Sequence, residues 1–256
     1  MPADGLSLGM VAGETSGDLL AAAVLAGLRE RRAVEARGIG GPAMQAQGFD
    51  PWWSIDALSV MGFVDVLKAY PRLLRMRNHL RDRLIAWHPQ LFVGVDAPDF
   101  NFGLEIALRE RGVRVAHFIS PSIWAWRRER IETIRKAVDH MLLVFPFEEP
   151  IYREAGIPAT YVGHPLADVI DLEVDGEAAR RRLALPADRL IVGLLPGSRH
   201  SEIAHLAEPF IQTAAWLAQR RQDLHFVLPA ANEPIYQALR QKLAAMHLPS
   251  ALSMTL

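Results

Sequence analysis

Short apolar segments of strand character alternate with helical patterns along this chain, and that alternation limits it to an α/β fold. Each apolar segment reads as a buried strand, and a helix follows most of them. This order is typical of a parallel, doubly wound sheet with helices on both faces. The predicted strands of the first series are residues 6–12, 34–39, 91–95, 113–119, 140–144 and 160–162.

A second series follows a charged stretch at residues 168–189 that lacks strand character. We therefore expect two Rossmann-like domains, residues 1–167 and 168–256. The second domain offers only two or three strand-helix units, and residues 250–256 look like the start of another strand, so we expect it to be incomplete in this chain. The second series consists of strands at 190–195 and 224–228 and helices at 202–221 and 233–246.

The balance of charge and the absence of cysteine exclude several classes of protein. The chain has 28 Lys and Arg against 29 Asp and Glu, which gives no reason to expect a nucleic-acid partner. Without cysteine there is no thiolate nucleophile, disulfide framework or zinc ribbon, as fits a reducing compartment. The first basic residue is Arg29 and the apolar run at 19–28 is too short to span a bilayer, so we expect a cytoplasmic protein.

The foremost candidate for chemistry is the loop after the third predicted strand, in the segment LFVGVDAPDFN at residues 91–101. Open α/β sheets bind ligands outside the carboxyl ends of their strands, so Asp96 and Asp99 are placed to meet a substrate. Asn101 follows in the same loop. The alternative is an ordinary turn, because Asp, Pro and Asn are common turn residues.

Two loops have the composition of anion sites at helix N-termini. VAGETSGD (residues 11–18) follows the first strand, and LLPGSRHSEI (residues 194–203) follows the first strand of the second series. Their glycines permit tight turns, and backbone N–H groups at the start of a helix attract anions. Arg199 adds a planar guanidinium suited to a diphosphate. Neither loop has the Gly-Lys pair of a P-loop, and plain helix capping is the alternative for both.

The segment GIGGPA at residues 38–43 matches the dinucleotide pattern G-x-G-x-x-A. It follows the second strand rather than the first, and Pro42 is typical of the first residue of a helix. These features argue against a nicotinamide site, and we expect no cofactor. His200 and His205 flank Glu202 without the spacing of a helical zinc pair, so we expect no metal site.

A basic and apolar segment extends over residues 57–87. Apolar residues such as Met61 and Phe63 are interspersed there with Arg72, Arg75 and Arg77, a composition that can bind an anionic membrane or receive acyl chains. The alternative is a core-facing helix with a solvated basic face.

The segment SPSIWAWR at residues 120–127 places Trp124, Trp126 and an arginine directly after a predicted strand. Loops rarely bury two tryptophans, so we expect these rings at the ligand-bearing edge of the sheet. Trp126 is our candidate for contact with substrate.

Seven motifs resemble, in their order along the chain, those of the lipid-A-disaccharide synthases of Gram-negative bacteria. The resemblance covers essentially the whole sequence, and because chains of that family continue well past a position such as Leu256, it implies an incomplete member. The motifs are VAGETSGD, GIGGPAMQAQG, LSVMGFVDVL, GVDAPDFN, SPSIWAWR, VGHPLAD and LPGSRHSEI.

The resemblance implies a two-domain (GT-B) inverting glycosyltransferase of lipid A biosynthesis. It would transfer 2,3-diacylglucosamine from UDP-2,3-diacylglucosamine to 2,3-diacylglucosamine 1-phosphate, making a β-1′,6 bond and releasing UDP. Asp96 matches the proposed base of the family, while Asp99 and Asn101 would shape its loop or hold sugar hydroxyls. Because the substrates carry acyl chains, the enzyme would act at the cytoplasmic face of the inner membrane as a peripheral protein.

The remaining roles follow from the same resemblance. The backbone of Gly197 and Ser198, with Arg199, would meet the negative charge of the leaving UDP. The acceptor or donor sugar would be held by a group of residues in the first domain: Gly13, Glu14, Ser16, Gly17 and Trp126. Membrane docking would involve Met61, Phe63, Arg72, Arg75 and Arg77.

Two other functions remain open from the sequence. One is a UDP-sugar epimerase of similar fold, which would act without a lipid acceptor. The other is a non-catalytic fragment that binds acylated glucosamine or membranes and would be indifferent to loss of the Asp96 carboxylate.

Overall fold

The protein is described by a computed structural model that covers residues 5–58, 63–244, 246 and 252–255. The chain divides into two compact units, Met1–Asp171 and Leu172–Leu256, each with its own sheet and core. The boundary expected from composition, after residue 167, lies just before this division. We call these unit 1 and unit 2.

In its described residues, unit 1 has seven strands and seven α-helices. The strands are β1 (Leu6–Ala12), β2 (Val34–Gly40), β3 (Asp50–Ser54), β4 (Leu91–Val95), β5 (Arg114–Phe118), β6 (His140–Leu143) and β7 (Ala159–Tyr161). The helices are α1 (Thr15–Arg29), α2 (Pro42–Ala46), α3 (Phe63–Trp87), α4 (Pro98–Arg109), α5 (Ile131–Ala137), α6 (Glu149–Glu154) and α7 (Leu166–Val169).

All seven strands pair in parallel in the order β3-β2-β1-β4-β5-β6-β7. The six strands predicted from the sequence are present with ends that differ by at most one residue, and the predicted doubly wound α/β fold is confirmed. Strand order reverses between β1 and β4. This reversal makes the carboxyl edge of β1 and β4 the topological switch point, where open α/β sheets bind ligands.

The edge strand β3 is the element that the sequence did not reveal. It begins with Asp50 and Pro51 and pairs with β2. Proline lacks a backbone N–H, so in a sequence it argues against a strand, but an edge strand tolerates it.

Alternate residues of the strands enter different cores on the two faces of the sheet. Met10 of β1 packs in a cluster with Leu25 of α1, whereas its neighbour Val11 packs in a cluster with Leu80 of α3 and Leu104 of α4. Burial on both faces explains why the strands read as continuous apolar runs rather than as an alternation of apolar and polar residues.

Three parallel strands pair in the order β10-β9-β8 in the part of unit 2 that the structure describes, namely β8 (Leu190–Gly193), β9 (Leu224–Pro229) and β10 (Leu252–Thr255). The last of these is the strand predicted near the end of the chain. Phe226 of β9 is fully buried with Ile211 and Leu239, which lie on two helices. The helices of unit 2 are α8 (Gly176–Arg182), α9 (His200–Ala218) and α10 (Glu233–Ala244).

The glycine-rich segment after β2 is closed by the buried carboxylate of Asp18 in α1. Its oxygens accept hydrogen bonds from the backbone N–H groups of Gly41 (2.8 Å), Ala43 (2.9 Å) and Met44 (3.2 Å) at the start of α2. A dinucleotide fingerprint would offer such N–H groups to a pyrophosphate. Here a side chain of the protein uses them, which gives a structural reason for the GIGGPA match without a nicotinamide site.

We expect the variant Asp18→Ala to lower the free energy of unfolding by about 2 kcal/mol, because three N–H groups, two of them buried, lose a charged acceptor at a helix start. Urea titration followed by circular dichroism measures this change. The exposed Asp171 is the control, and Asp171→Ala should leave the free energy of unfolding within about 0.5 kcal/mol of the wild-type value. Equal effects of the two substitutions would contradict a structural role for Asp18.

Candidate active site

The loops after β1 and β4 come into contact at the switch point of unit 1. Gly13 is buried, and a Cβ on it would lie 2.5 Å from the Cβ of Ala97. Gly17 is buried in the first turn of α1, where a Cβ would lie 3.7 Å from the carbonyl oxygen of Val95. The absence of a side chain at Gly13 therefore permits the two loops to touch.

Asp96 follows β4 with a backbone that few residues adopt. Asp96 and Ala97 have φ angles of 53° and 45°, in the left-handed region, which costs non-glycine residues of order 1–3 kcal/mol each. Two hydrogen bonds hold this geometry: the Asp96 N–H donates to the carbonyl of Phe118 (2.9 Å), and Nδ2 of Asn101 donates to the carbonyl of Asp96 (2.7 Å). The Asp96 carboxylate is partly exposed and forms no hydrogen bond or ion pair with any residue that the structure describes.

Asn101 and Asp99, the two polar residues that follow Asp96, differ in burial. Asn101 is fully buried, so of the two roles that the sequence left open for it, the structure favours shaping the loop over holding a sugar hydroxyl. Asp99 is exposed in the first turn of α4 and accepts a hydrogen bond from Nη2 of Arg130 at 2.5 Å. This ion pair joins the start of α4 to the chain that follows the tryptophan loop.

The residues of VAGETSGD separate into buried and exposed positions. Gly13 and Gly17 are buried, whereas Glu14 and Ser16 are exposed at the start of α1. Glu14 is the N-cap residue, with extended backbone. Of the four positions that the resemblance assigned to a sugar, Glu14 and Ser16 are thus the ones with side chains at the surface.

The loop after β5 carries exposed aromatic rings, as the sequence predicted. The exposed fractions of Trp124 and Trp126 are 51% and 60%. Trp124 meets Phe147 edge to face with ring centroids 5.3 Å apart, Phe145 stacks on Phe147, and the Arg127 guanidinium lies 4.5 Å from the Trp126 ring centroid. Because β5 and β6 follow β4 in the sheet, this aromatic cluster lies at the same carboxyl edge as Asp96.

A buried polar group, which the sequence analysis missed, lies where the loops after β5 and β6 begin. Ser120 Oγ is 2.7 Å from the hydroxyl of Tyr152, and both residues are buried. Burial raises the pKa of the nearby Glu148 carboxyl, against the opposing effect of its hydrogen bond with Ser120. The available signal was the segment Phe145-Pro-Phe-Glu directly after β6, in which a glutamate follows an apolar strand.

In unit 2 the loop before α9 is occupied by the carboxylate of Glu202. The N–H groups of Ser198 and Arg199 donate to Oε2 of Glu202 at 2.9 and 3.3 Å, and Nη1 of Arg199 lies 3.3 Å from Oε1. Gly197 has a φ of 130°, and a Cβ there would overlap the Glu202 side chain. The Ser198 N–H, aided by Arg199, holds the pKa of Glu202 below its usual range. The groups predicted to hold a diphosphate thus hold a carboxylate of the chain.

The helix α3 turns one face to the core. Met76, Leu80 and Leu84 recur at a spacing of four residues and are buried in unit 1. Each such burial stabilises the fold by about 1.5–3 kcal/mol. These residues of the predicted membrane segment are therefore core residues of the unit.

The arginines of α3 do not share one environment. Arg72 and Arg75 are exposed, whereas Arg77 is partly buried, with its guanidinium 2.5 Å from the position that a Cβ on Gly103 of α4 would take. Phe63 is the first residue of α3, and Met61 lies outside the described residues. Arg72 and Arg75 are thus the arginines of the predicted docking set that face solvent.

The described part of the chain has no candidate membrane span and no candidate metal cluster. None of its helices combines the length and apolar character needed to cross a membrane. Within the same residues, no group of three or more His, Asp or Glu side chains is arranged to hold a metal ion.

Comparison with solved structures relates the chain to enzymes of sugar nucleotides by fold. It superposes on the UDP-GlcNAc 2-epimerase of Neisseria meningitidis bound to UDP-GlcNAc with a TM-score of 0.59 and 10% identity, covering 98% of this chain and 72% of that one. A Staphylococcus aureus MnaA–UDP structure gives a TM-score of 0.60 and 12% identity, covering 98% of this chain and 68% of that one. At such identities the likeness is one of fold.

Curated proteins match the sequence of this chain at much higher identity than the solved structures do. The model of the lipid-A-disaccharide synthetase family matches residues 8–253. The lipid-A-disaccharide synthase of Bordetella petrii is 58% identical over 227 residues, which are 89% of this chain and 58% of the relative. That of Burkholderia lata is 51% identical over 257 residues, 100% of this chain and 66% of the relative. The chain thus spans roughly three-fifths to two-thirds of the length of these relatives, and it belongs to the lipid-A-disaccharide synthetase family.

Proposed function

We propose that this chain carries the catalytic base and part of the nucleotide site of a lipid-A-disaccharide synthase. The reaction would transfer 2,3-diacylglucosamine from UDP-2,3-diacylglucosamine to 2,3-diacylglucosamine 1-phosphate. The family and the names of the relatives support this reaction class. The observation that carries the proposal is the partly exposed Asp96 carboxylate at the switch point, which has no partner among the described residues.

Asp96 would act as the general base. The 6-hydroxyl of the acceptor attacks the anomeric carbon of the donor, the bond from that carbon to the phosphate oxygen of UDP breaks, and the configuration inverts. The hydroxyl proton passes to a carboxylate that has free lone pairs. Asp96 meets this requirement, whereas Asp99 already accepts a hydrogen bond from Arg130.

UDP leaves with developing negative charge, which must be stabilised by positive groups. The N–H groups at Gly197 and Ser198 and the guanidinium of Arg199 are suited to this, because the loop already holds a carboxylate. Glu202 would have to release these donors when the diphosphate binds. Its side chain is 28% exposed, so it can turn to solvent without opening the core.

The acylated sugars would lie along the carboxyl edge of unit 1. Glu14 and Ser16 offer polar atoms beside the switch point, where Gly13 and Gly17 permit close approach. Trp126 and its aromatic neighbours offer surfaces for sugar faces and acyl chains. Asp99, held by Arg130, would border the acceptor.

Acyl chains keep both substrates in a membrane, so the enzyme would dock as a peripheral protein on the cytoplasmic face of the inner membrane. The exposed Arg72 and Arg75 of α3 support a docking surface for anionic lipid, and the segment with Met61 and Phe63 precedes them in the chain.

An epimerase acting on a UDP-sugar is the second candidate, favoured by the fold of the solved relatives. A non-catalytic fragment that binds acylated glucosamine is the third, favoured by the partial coverage of the curated relatives. The epimerase would act without a lipid acceptor, and the binding fragment would be indifferent to loss of the Asp96 carboxylate.

We expect Asp96→Asn to lower the rate of disaccharide 1-phosphate formation by about 10²–10⁴-fold, because an amide accepts no proton from the hydroxyl. The assay uses both substrates in mixed micelles, and Glu110→Gln, an exposed change at the far end of α4, is the control. Equal rates for wild type and Asp96→Asn would contradict the role as base. Conversion of the UDP-sugar without acceptor would favour the epimerase, and no product from the wild type would favour the binding fragment.

Removing the carboxylate of Glu202 tests the nucleotide loop. We expect Glu202→Ala to bind UDP about fivefold more tightly, since the backbone N–H groups of Ser198 and Arg199 no longer donate to the Glu202 carboxylate. Isothermal titration calorimetry gives the Kd. Glu208→Ala, an exposed change on the same helix, should leave it unchanged. Unchanged or weaker UDP binding by Glu202→Ala would place the diphosphate elsewhere.

Charge reversal tests the docking surface. We expect the double variant Arg72→Glu/Arg75→Glu to lose at least about 30-fold in binding to vesicles that contain anionic lipid, because each arginine near such a surface contributes about 1 kcal/mol. Vesicle sedimentation measures the bound fraction. The control Arg31→Glu/Arg32→Glu changes the net charge equally at two exposed residues that follow α1. Equal losses in both variants would indicate a response to net charge alone.

A further inference from the structure

Three buried polar side chains lie beneath the Asp96 loop, and the proposed reaction uses none of them directly. Asn101 and Glu105 lie on α4 and His117 lies on β5, and none has exposed surface. Burying polar groups in a core opposes folding unless they are paired. A set of three under one loop therefore needs a physical reason.

The three side chains converge on Gly94 of β4, which lies opposite His117 in the sheet register. A Cβ on Gly94 would overlap the Glu105 carboxylate and would lie 3.0 Å from Nδ1 of His117 and 3.2 Å from Cγ of Asn101. Nδ1 of His117 is itself 2.6 Å from Oε1 of Glu105. Glycine at position 94 thus creates the space in which the three groups meet.

This buried triad contacts the Asp96 loop through Asn101. Nδ2 of Asn101 donates to the carbonyl oxygen of Asp96 at 2.7 Å, and Gly94 is two residues before Asp96. Asn101 and Glu105 are four residues apart, so they are neighbours on one face of α4. The left-handed φ angles of Asp96 and Ala97 occur where this hydrogen bond is made.

Each member of the triad has one buried polar atom that no described residue pairs, which opposes stability. Oδ1 of Asn101, Oε2 of Glu105 and Nε2 of His117 are buried without a hydrogen-bond partner in the part of the chain that the structure describes. Apolar side chains of similar volume often give equal or higher stability than a buried pair of ionisable groups. A role in geometry rather than in stability accounts for polar residues here.

We propose that Glu105 and His117 are positioning residues, which hold Asn101 against Gly94 and thereby keep Asp96 in the backbone conformation from which its carboxylate acts. This inference rests on the proposed role of Asp96 as base. Glu105 accepts from His117, the pair confines Asn101, and Asn101 donates to the Asp96 carbonyl. Neither positioning residue touches the substrate.

The test compares an apolar replacement of the pair with a conservative change. In Glu105→Leu/His117→Leu, apolar side chains of similar size replace the polar pair, a kind of change that often leaves stability equal or higher. Glu105→Gln keeps an acceptor for the histidine N–H. Tyr152→Phe, which removes a different buried hydrogen bond in unit 1, is the control. Amide hydrogen exchange and steady-state kinetics are measured for each variant in the full chain.

In the apolar double variant we expect exchange in residues 95–101 to rise about tenfold, as for loss of one hydrogen bond, with β1 unchanged. We also expect kcat of the double variant to fall about tenfold while its KM stays within twofold of the wild-type value. The single variant Glu105→Gln should keep both the exchange rate and kcat of the wild type. The inference is overturned if residues 95–101 exchange no faster than in Tyr152→Phe, or if kcat is that of the wild type. If the wild-type chain makes no product, the proposed function fails, and exchange alone decides the positioning role.

Discussion

The contact between the loops after β1 and β4 is the constraint on which the active edge of unit 1 depends. A parallel sheet leaves a crevice where its strand order reverses. In this sheet the loops after β1 and β4 approach each other across the crevice, so that Gly13 contacts Ala97. Because Gly13 has no side chain, the loop before α1 can approach the end of β4 this closely. Exposed Glu14 and Ser16 are thereby brought to the edge that carries Asp96.

The helices α2 and α9 each begin around a carboxylate of the protein itself, and these two carboxylates differ in exposure. Asp18 is 2% exposed and serves three N–H groups of α2, so it acts as a permanent part of unit 1. Glu202 is 28% exposed and serves the loop before α9. A buried carboxylate has no solvent to turn to, whereas an exposed one can be replaced by a ligand anion at small cost. The N–H groups at the start of α2 are therefore permanently occupied by Asp18, whereas those before α9 can be released by Glu202.

The fold was predictable from the sequence because burial on both faces produces long apolar runs, and the position of Asp96 followed because strand ends are visible in such runs. The buried residues beneath the Asp96 loop were not predictable from the sequence. Glu105 reads as one polar position of an amphipathic helix and His117 as one residue of a strand, so only tertiary structure shows that both reach Gly94. The strand β3 was missed because Pro51 argues against strands except at an edge.

Backbone strain in the described residues is concentrated in the loops after β4 and β5. Of the six non-glycine residues with positive φ, four lie in the loops after β4 and β5, namely Asp96, Ala97, Ile119 and Arg127. At of order 1–3 kcal/mol each, such residues persist only where the surroundings hold them. The apolar cores on both faces and the buried triad under Asp96 supply that support. This sheet edge thus combines strained backbone at Asp96, exposed aromatic rings and a buried support, a combination that costs stability and that the proposed catalytic role of Asp96 would account for.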